Sequence, residues 1–362
     1  MNVLRARAAS LAAAVLLSGC ATIQRTPFTV SQSAVATVGG AADVRFWGDA
    51  PDAAQRMQPV VPAGEQVTML ALSGGADEGA YGAGVLNGWS KSGTRPSFSV
   101  VTGVSTGALI APFAFLGRDY DAAVARVYTT ISAKDIFRPR FALSIPGSTS
   151  VASTAPLARL IAREVTPALV DRVAQEHRRG RRLFVATANL DAQRTVIWNM
   201  GAIAASDLPD RITLFRQVLL ASSSIPVLFP PVVIDAQAAG TPVRELHVDG
   251  GTTAGILAIP PYLAVTDAAM PGASRLHVFL LMNSRLGGDF QVVKPKLLPI
   301  MQRSFALNQQ ATLSTIADLS YVYAKRHGID WNLTFIGNDV PPADRLFETG
   351  YMRRLYAYGV ER

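Results

Sequence analysis

The stretch Ser97-Phe98-Ser99-Val100-Val101-Thr102-Gly103-Val104-Ser105-Thr106-Gly107-Ala108-Leu109-Ile110-Ala111 decides how this chain is read. It joins an apolar, β-branched run to an apolar helix-forming run through a G-x-S-x-G pentapeptide at residues 103–107. A strand that ends in a sharp turn and passes at once into a helix pushes one serine out at the top of a sheet. Gly103 and Gly107 let the backbone turn and let helix and strand pack closely. The helix N-terminus adds a positive potential beside the Ser105 hydroxyl. The competing reading is a Ser/Gly turn between two core elements; the flanking pattern favours an exposed nucleophile.

Working outward, the chain alternates strands with helices. Residues 67–72 form an apolar run of strand length, and a glycine loop at 74–84 enters a helix that continues through Val85, Leu86 and Trp89. Residues 98–104 form the strand that ends at Ser105. Residues 183–188 and 195–198 read as a strand pair around a turn at Asp191-Ala192. Residues 246–249 are a short strand ending in Gly250-Gly251, residues 276–282 another strand, and residues 298–325 a long helix. This alternation predicts an α/β fold: three layers, α/β/α, with a mostly parallel central sheet. The expected organisation is a signal segment at 1–19, a tether at 20–65 with one packed segment near residues 44–47, a catalytic domain at 66–290, and a C-terminal helical region at 291–362 packed on the core. An amphipathic membrane contact around Tyr351-Met352-Arg353-Arg354-Leu355 is the alternative for that last region.

The chain has 362 residues, 49% of them apolar, enough for a large core. Its formal charge of +8 falls to +6 once Arg5 and Arg7 are removed with residues 1–19. The densest basic cluster, His177-Arg178-Arg179-Gly180-Arg181-Arg182, reads as a solvated helix end and loop. Nucleic-acid binding calls for a longer basic tract interleaved with aromatics, which the sequence lacks. Histidines are few and scattered, so no metal or cofactor site is read.

The N-terminus reads as a processing signal. Arg5 and Arg7 precede an apolar stretch at residues 8–17 that is too short to span a bilayer. Leu17-Ser18-Gly19-Cys20 follows, and Cys20 is the only cysteine. This resembles the bacterial lipobox, in which cleavage leaves an acylated cysteine as the new first residue. The resemblance implies a membrane anchor at Cys20, and Ala21 in place of Asp implies the outer membrane of a Gram-negative envelope.

A serine nucleophile needs a proton acceptor, a turn that exposes it and donors for the developing oxyanion. Bare backbone in a glycine-rich loop supplies such donors at close range. Ser73-Gly74-Gly75-Ala76-Asp77-Glu78-Gly79 follows a strand and opens a helix, which suits that role. A phosphate-cradling loop would need a G-K-[ST] ending or G-x-G-x-x-G spacing, and has neither. For the base, a Ser-Asp-His order would leave His277 or His327. The other candidate is Asp249, at a strand end before two glycines, where a sheet delivers residues to a site at its carboxyl edge. His247, two residues earlier, lies on the same strand face and could tune that carboxylate.

The segments SGGADEGAYGAGVLNGW, GVSTGA, ASSSIPVLFPPV and VDGG occur in this order over residues 66–283. Together they resemble the patatin-like phospholipases, and the first two tracts resemble a bacterial lipoprotein subgroup of that family. The resemblance implies a Ser-Asp dyad, with Ser105 as nucleophile and Asp249 as general base. It also implies an oxyanion hole from the backbone N–H groups of Gly74, Gly75 and Ala76, with Gly79, Gly103, Gly107 and Gly250 as motif glycines. The family's loop usually has a glycine where this chain has Ala76 and an arginine where it has Glu78. Backbone donors survive the change from glycine to alanine only if the local φ is negative, and Glu78 places negative charge near the site. The reading is a membrane-anchored serine hydrolase of lipid esters that needs no cofactor, with a Ser-Asp-His esterase or a non-catalytic lipid-binding envelope lipoprotein as alternatives.

Overall fold

The structure, a computed structural model, describes residues 23–362 apart from 42, 142–147, 267, 271, 289, 291 and 344. The signal segment 1–19 and Cys20 therefore lie outside the described residues.

Among the described residues nine strands form one sheet: β1 (Arg45–Trp47), β2 (Val67–Leu72), β3 (Val100–Val104), β4 (Arg182–Asn189), β5 (Arg194–Asn199), β6 (Val232–Ala238), β7 (Thr241–Asp249), β8 (Leu276–Leu281) and β9 (Asp330–Thr334). Their order is β1-β5-β4-β3-β2-β8-β9, with β7 paired to both β4 and β6. The run β4-β3-β2-β8-β9 is parallel throughout. The helices of ten residues or more are α1 (Gly79–Ser92), α2 (Thr106–Leu116), α3 (Asp121–Thr130), α4 (Ala155–Glu164), α5 (Pro167–Arg178), α6 (Arg211–Ser222), α7 (Leu297–His327) and α8 (Thr349–Val360).

The continuous apolar runs of the central strands follow from burial on both faces. In β2, Leu70 and Leu72 join one core with Leu86 of α1, Phe115 of α2 and Phe215 of α6. Met69 and Ala71, pointing the other way, join a second core with Ile316 and Tyr323 of α7. β4 divides likewise, Leu183 and Val185 to the first core and Phe184 and Ala186 to the second. Helices thus cover both faces of a mostly parallel sheet, the α/β/α layering expected from the sequence. α2 is apolar all round, as a helix buried on every side must be.

One feature of the register positions the site. β4 is longer than β3, which pairs with it only as far as Val104 opposite Ala186. From the next residue β4 pairs on the same side with β7, running the other way, with Asp249 opposite Thr187. Two strands thus approach head-on along one edge of β4, and their carboxyl ends meet.

Four sequence expectations are corrected by the fold. The expected tether, residues 20–65, is built into the fold from Arg25 onward. Arg25 pairs with Asp191, Thr37 bridges to Gln237, Val44 is buried, and β1 adds an antiparallel edge to β5. The C-terminal region 291–362 is not purely helical. It contributes β9, whose alternating polar residues hid an edge strand, so the sheet does not close at residue 290. α8 packs against α1, with Tyr351, Met352 and Leu355 buried, so that stretch faces the core and not a membrane. The basic cluster is also less solvated than expected: Arg181 donates to the carbonyls of Phe98 and Phe115, tying the start of β4 to its neighbours.

Candidate active site

Ser105 stands between β3 and α2 with φ 55° and ψ −123°. A non-glycine residue at such angles carries about 1–3 kcal/mol of backbone strain, which the surroundings must hold in place. The two motif glycines permit the turn: a Cβ on Gly103 would lie 2.5 Å from the Gly107 carbonyl oxygen, and one on Gly107 would strike the Leu72 carbonyl. Gly79 opens α1 beside Thr106, and Gly250 begins a single tight turn after Asp249.

Three consecutive serines at the end of α6, whose role the sequence did not disclose, clamp this geometry. The Ser105 N–H donates to Ser222 Oγ at 3.0 Å, and Ser222 Oγ donates to the Ala186 carbonyl at 2.7 Å. Ser223 Oγ donates to the Ser105 carbonyl at 3.3 Å, and the Asp249 N–H donates to the Ser224 carbonyl at 2.9 Å. The only signal available was an unusual run of small hydroxyl residues closing a helix.

The Ser105 hydroxyl donates to Asp249 Oδ2 at 2.6 Å, and the Gly251 N–H donates to Asp249 Oδ1 at 2.7 Å. Both side chains are buried. Burial without a cationic partner pushes the Asp249 carboxyl up to about 7, while its bonds from Ser105 and Gly251 pull the other way. The arrangement can remove a proton from Ser105 and return it to a leaving group.

Among the described residues no histidine is hydrogen-bonded to the Ser105 hydroxyl. His277 pairs with Asp330 at 2.7 Å at the start of β8, the far end of the sheet from Ser105. His327 lies at the end of α7 against the Tyr323 ring, and His177 sits against Gly201. His247 is buried, and desolvation lowers its pKa and keeps it neutral. Its Nδ1 meets Thr187 Oγ1 at 2.9 Å and its Nε2 meets Glu245 Oε2 at 3.1 Å. The Glu245 carboxylate can only accept, so Nε2 carries the ring proton and Nδ1 accepts from the Thr187 hydroxyl, which itself accepts from Trp198 Nε1–H. His247 thus serves the Glu245–Arg45 pair and makes no hydrogen bond with Asp249.

The glycine loop is stapled to the end of β8. Asn283 N–H donates to Ser73 Oγ at 2.8 Å, its Nδ2 donates to the Ser73 carbonyl at 2.9 Å, and its Oδ1 accepts from Gly82 N–H at 3.1 Å. Gly75 has φ 154°, and any Cβ there would collide with the Asn283 carbonyl. The Gly74 N–H, expected to serve the oxyanion, instead donates to the Gly255 carbonyl at 3.0 Å. The N–H groups of Gly75 and Ala76 have no acceptor among the described residues. Ala76 takes φ 51°, so the negative φ on which the sequence reading made its donor role depend is not met, yet its N–H is left without an acceptor among the described residues. Gly75 turns the chain so sharply that the next residue enters the left-handed region, at a cost of about 1 kcal/mol for alanine.

Glu78 is not a bare charge. Arg285, just beyond β8, donates to Glu78 Oε1 at 2.5 Å, and Tyr351 Oη donates to the same oxygen at 3.0 Å. Burial pushes the Glu78 carboxyl up to about 7, against the pull of Arg285. The sequence could not place Arg285 here, since 207 residues separate the pair.

Ser105 opens onto two spaces. One is a narrow apolar pocket of ≈ 70 Å³, lined by residues such as Leu109, Phe113, Leu157, Ile161 and Phe229. The other is a cleft of ≈ 520 Å³ that includes Asp249, Glu78, Arg285, Arg303 and Gln309. A buried serine–aspartate pair on an α/β/α scaffold thus lies between the glycine loop and an apolar slot.

Residues 70–261, more than half of the chain, match the family described as patatin-like phospholipase, and the chain belongs to it. Among solved structures, VipD from Legionella pneumophila is similar at 12% identity, covering 82% of this chain and 66% of that one, with a TM-score of 0.43. A structure of SpcU in complex with ExoU from Pseudomonas aeruginosa is similar at 15% identity, covering 75% of this chain and 53% of that one, with a TM-score of 0.34. The chain thus spans just under two thirds of the first and about half of the second. No curated protein matches the sequence closely enough to count as a relative.

Proposed function

We propose that the protein is a membrane-anchored serine hydrolase that cleaves carboxylic ester bonds of phospholipids or related lipids through a Ser105–Asp249 dyad. The observation that carries this reading is the 2.6 Å bond from the Ser105 hydroxyl to a buried carboxylate with no competing cation. As Ser105 Oγ attacks the ester carbonyl, Asp249 takes its proton. The N–H groups of Gly75 and Ala76 hold the oxyanion, and the acyl chain lies in the apolar pocket beside Ser105. Asp249 then delivers its proton to the departing alkoxide, leaving an acyl-serine. Water, deprotonated by Asp249, attacks that ester, and Ser105 leaves with the proton as the fatty acid departs. A base near 7 suits this exchange better than an ordinary carboxylate would.

The anchor rests on Leu17-Ser18-Gly19-Cys20. Among the described residues no helix is long and apolar enough to cross a membrane. Acylation at Cys20 and an outer-membrane location belong to this proposal. Metabolic labelling with palmitate should mark the wild type and not Cys20→Ser; equal labelling would remove the anchor from the account.

The enzymatic reading is tested with phospholipids, lysophospholipids and short-chain esters, using wild type and Ser105→Ala. We expect the alanine variant to lose at least about 10³-fold in kcat/KM. Turnover that persists in Ser105→Ala would overturn the assignment.

A further inference from the structure

The first turns of α7 are unlike the rest of that helix. Gln309 lies over Gly74 and Gly251 and so marks the level of the dyad on α7. The helix then runs down the sheet to His327 and leads into β9. Its first twelve residues consequently project past the carboxyl edge of the strands, a reach of about 18 Å at 1.5 Å per residue.

This projection has two faces. Pro299, Gln302, Arg303, Ala306 and Gln310 recur at helical spacing and line the cleft above Ser105. Leu297, Ile300 and Leu307 recur on the opposite side, outside the cleft lining, and are 77%, 49% and 54% exposed. Val292, on the lead-in segment at the mouth of the cleft, is 82% exposed. Water meets apolar side chains on one side of the projecting helix and the catalytic cleft lies on the other. An exposed apolar stripe beside a binding cleft marks an interaction surface.

Charge identifies the occupant. From Phe290 to Ala317 the sequence has no acidic residue, while Lys294, Lys296 and Arg303 fall within it. Lys294 and Lys296 are exposed at the start of the projection. A projecting apolar stripe led in by lysines matches a surface with anionic headgroups over an apolar interior. The N-terminal side of the described chain supports the same orientation. Arg25 is held by Asp191, in the turn beyond the carboxyl end of β4, and by the Arg244 carbonyl. The chain therefore enters the fold on the edge that carries Ser105, and an N-terminal anchor would pull that edge toward the bilayer.

We infer that the projecting start of α7 docks the protein on an anionic lipid bilayer, its Leu297–Ile300–Leu307 stripe inserted among the headgroups and its other face forming the wall of the cleft. A lipid leaving the bilayer passes along that wall to Ser105. The inference deepens the lipid-hydrolase reading and rests on it for the identity of the molecule that enters.

The test uses full-length protein carrying Ser105→Ala, reconstituted with vesicles whose acyl chains are brominated. Ile300→Trp reports the stripe, and Tyr321→Trp reports a partly exposed position near the other end of the same helix. In vesicles of mixed phosphatidylglycerol and phosphatidylcholine, after subtraction of the parent's signal, we expect quenching and a blue shift severalfold larger at position 300 than at 321. Phosphatidylcholine alone should give clearly weaker quenching at 300. Equal quenching at the two positions, or none at either, would overturn the docking face. Equal quenching on the two vesicle types would overturn the anionic surface. Because the protein tested turns nothing over, these outcomes stand apart from the success or failure of the hydrolase reading.

Discussion

Strand β7 carries two buried carboxyl groups four residues apart, and their environments are opposite. Glu245 is met by the Arg45 guanidinium and by His247 Nε2. Burial raises its pKa, but those bonds and the Arg45 charge outweigh it and leave it lowered, at about 2. Asp249 is met by a serine hydroxyl and one backbone N–H, and burial holds it at about 7. The same strand thus holds one carboxylate fixed as an anion that knits β1 to β7, and one whose proton moves near neutral pH. On this strand the carboxyl with a guanidinium and an imidazole beside it is held as an anion, and the one with neither is left able to take up a proton.

The largest expected effect falls on the structural pair. Arg45→Ala strands Glu245 in the core and should destabilise the fold by about 3–5 kcal/mol, measured by chemical denaturation. A loss under about 1 kcal/mol would mean that the pair does not hold the edge of the sheet. The lowered pKa gives the sign with pH: this stabilisation is full above the ordinary carboxylate pKa and lost as pH falls through it toward 2.

Asp249→Asn should act in the opposite direction. A raised pKa means that the folded state holds a proton which the unfolded state has already released. Stability therefore falls as pH rises from about 4 to about 7 and stays low above that. The neutral amide removes this cost. Above pH 7 it should raise stability by about 1–3 kcal/mol, and the gain should vanish toward pH 4. Thermal melts at several pH values read this, and a variant less stable than wild type at all of them would contradict it.

The smallest expected effect lies in the oxyanion loop. Ala76→Gly relieves a left-handed alanine and should stabilise by about 0.5 kcal/mol, offset in part by the greater freedom of glycine in the unfolded chain. A clear loss of stability on denaturation would show that the Ala76 methyl group packs usefully in the pocket wall.

Much of the fold and of the dyad was legible because it is written in local pattern. The apolar runs of β2, β3 and β8 are continuous, since those strands are buried on both faces. The two glycines around Ser105 mark a turn that bulkier residues could not make. What stayed hidden depends on distant pairing. The Gly74 N–H finds the Gly255 carbonyl 181 residues later, and Glu78 finds Arg285. β9 is a short edge strand whose Asp330, Asn332 and Thr334 leave it only two apolar residues, too few to mark it as part of the sheet. The meeting of Ser105 with Asp249 follows from β7 joining β4 where β3 ends, a register that no local pattern specifies. His247 shares a strand with Asp249, but its ring is engaged by Thr187 and Glu245.

The central claim is that Asp249, titrating near 7, is the base for Ser105. The direct measurement is the rate at which a fluorophosphonate labels Ser105 on either side of neutral pH. Labelling should rise with pH through a midpoint near 7 in wild type, keep that midpoint in Glu78→Gln, and become slow and flat in Asp249→Asn. Wild-type labelling in Asp249→Asn, or a midpoint that moves with Glu78→Gln, would contradict the account.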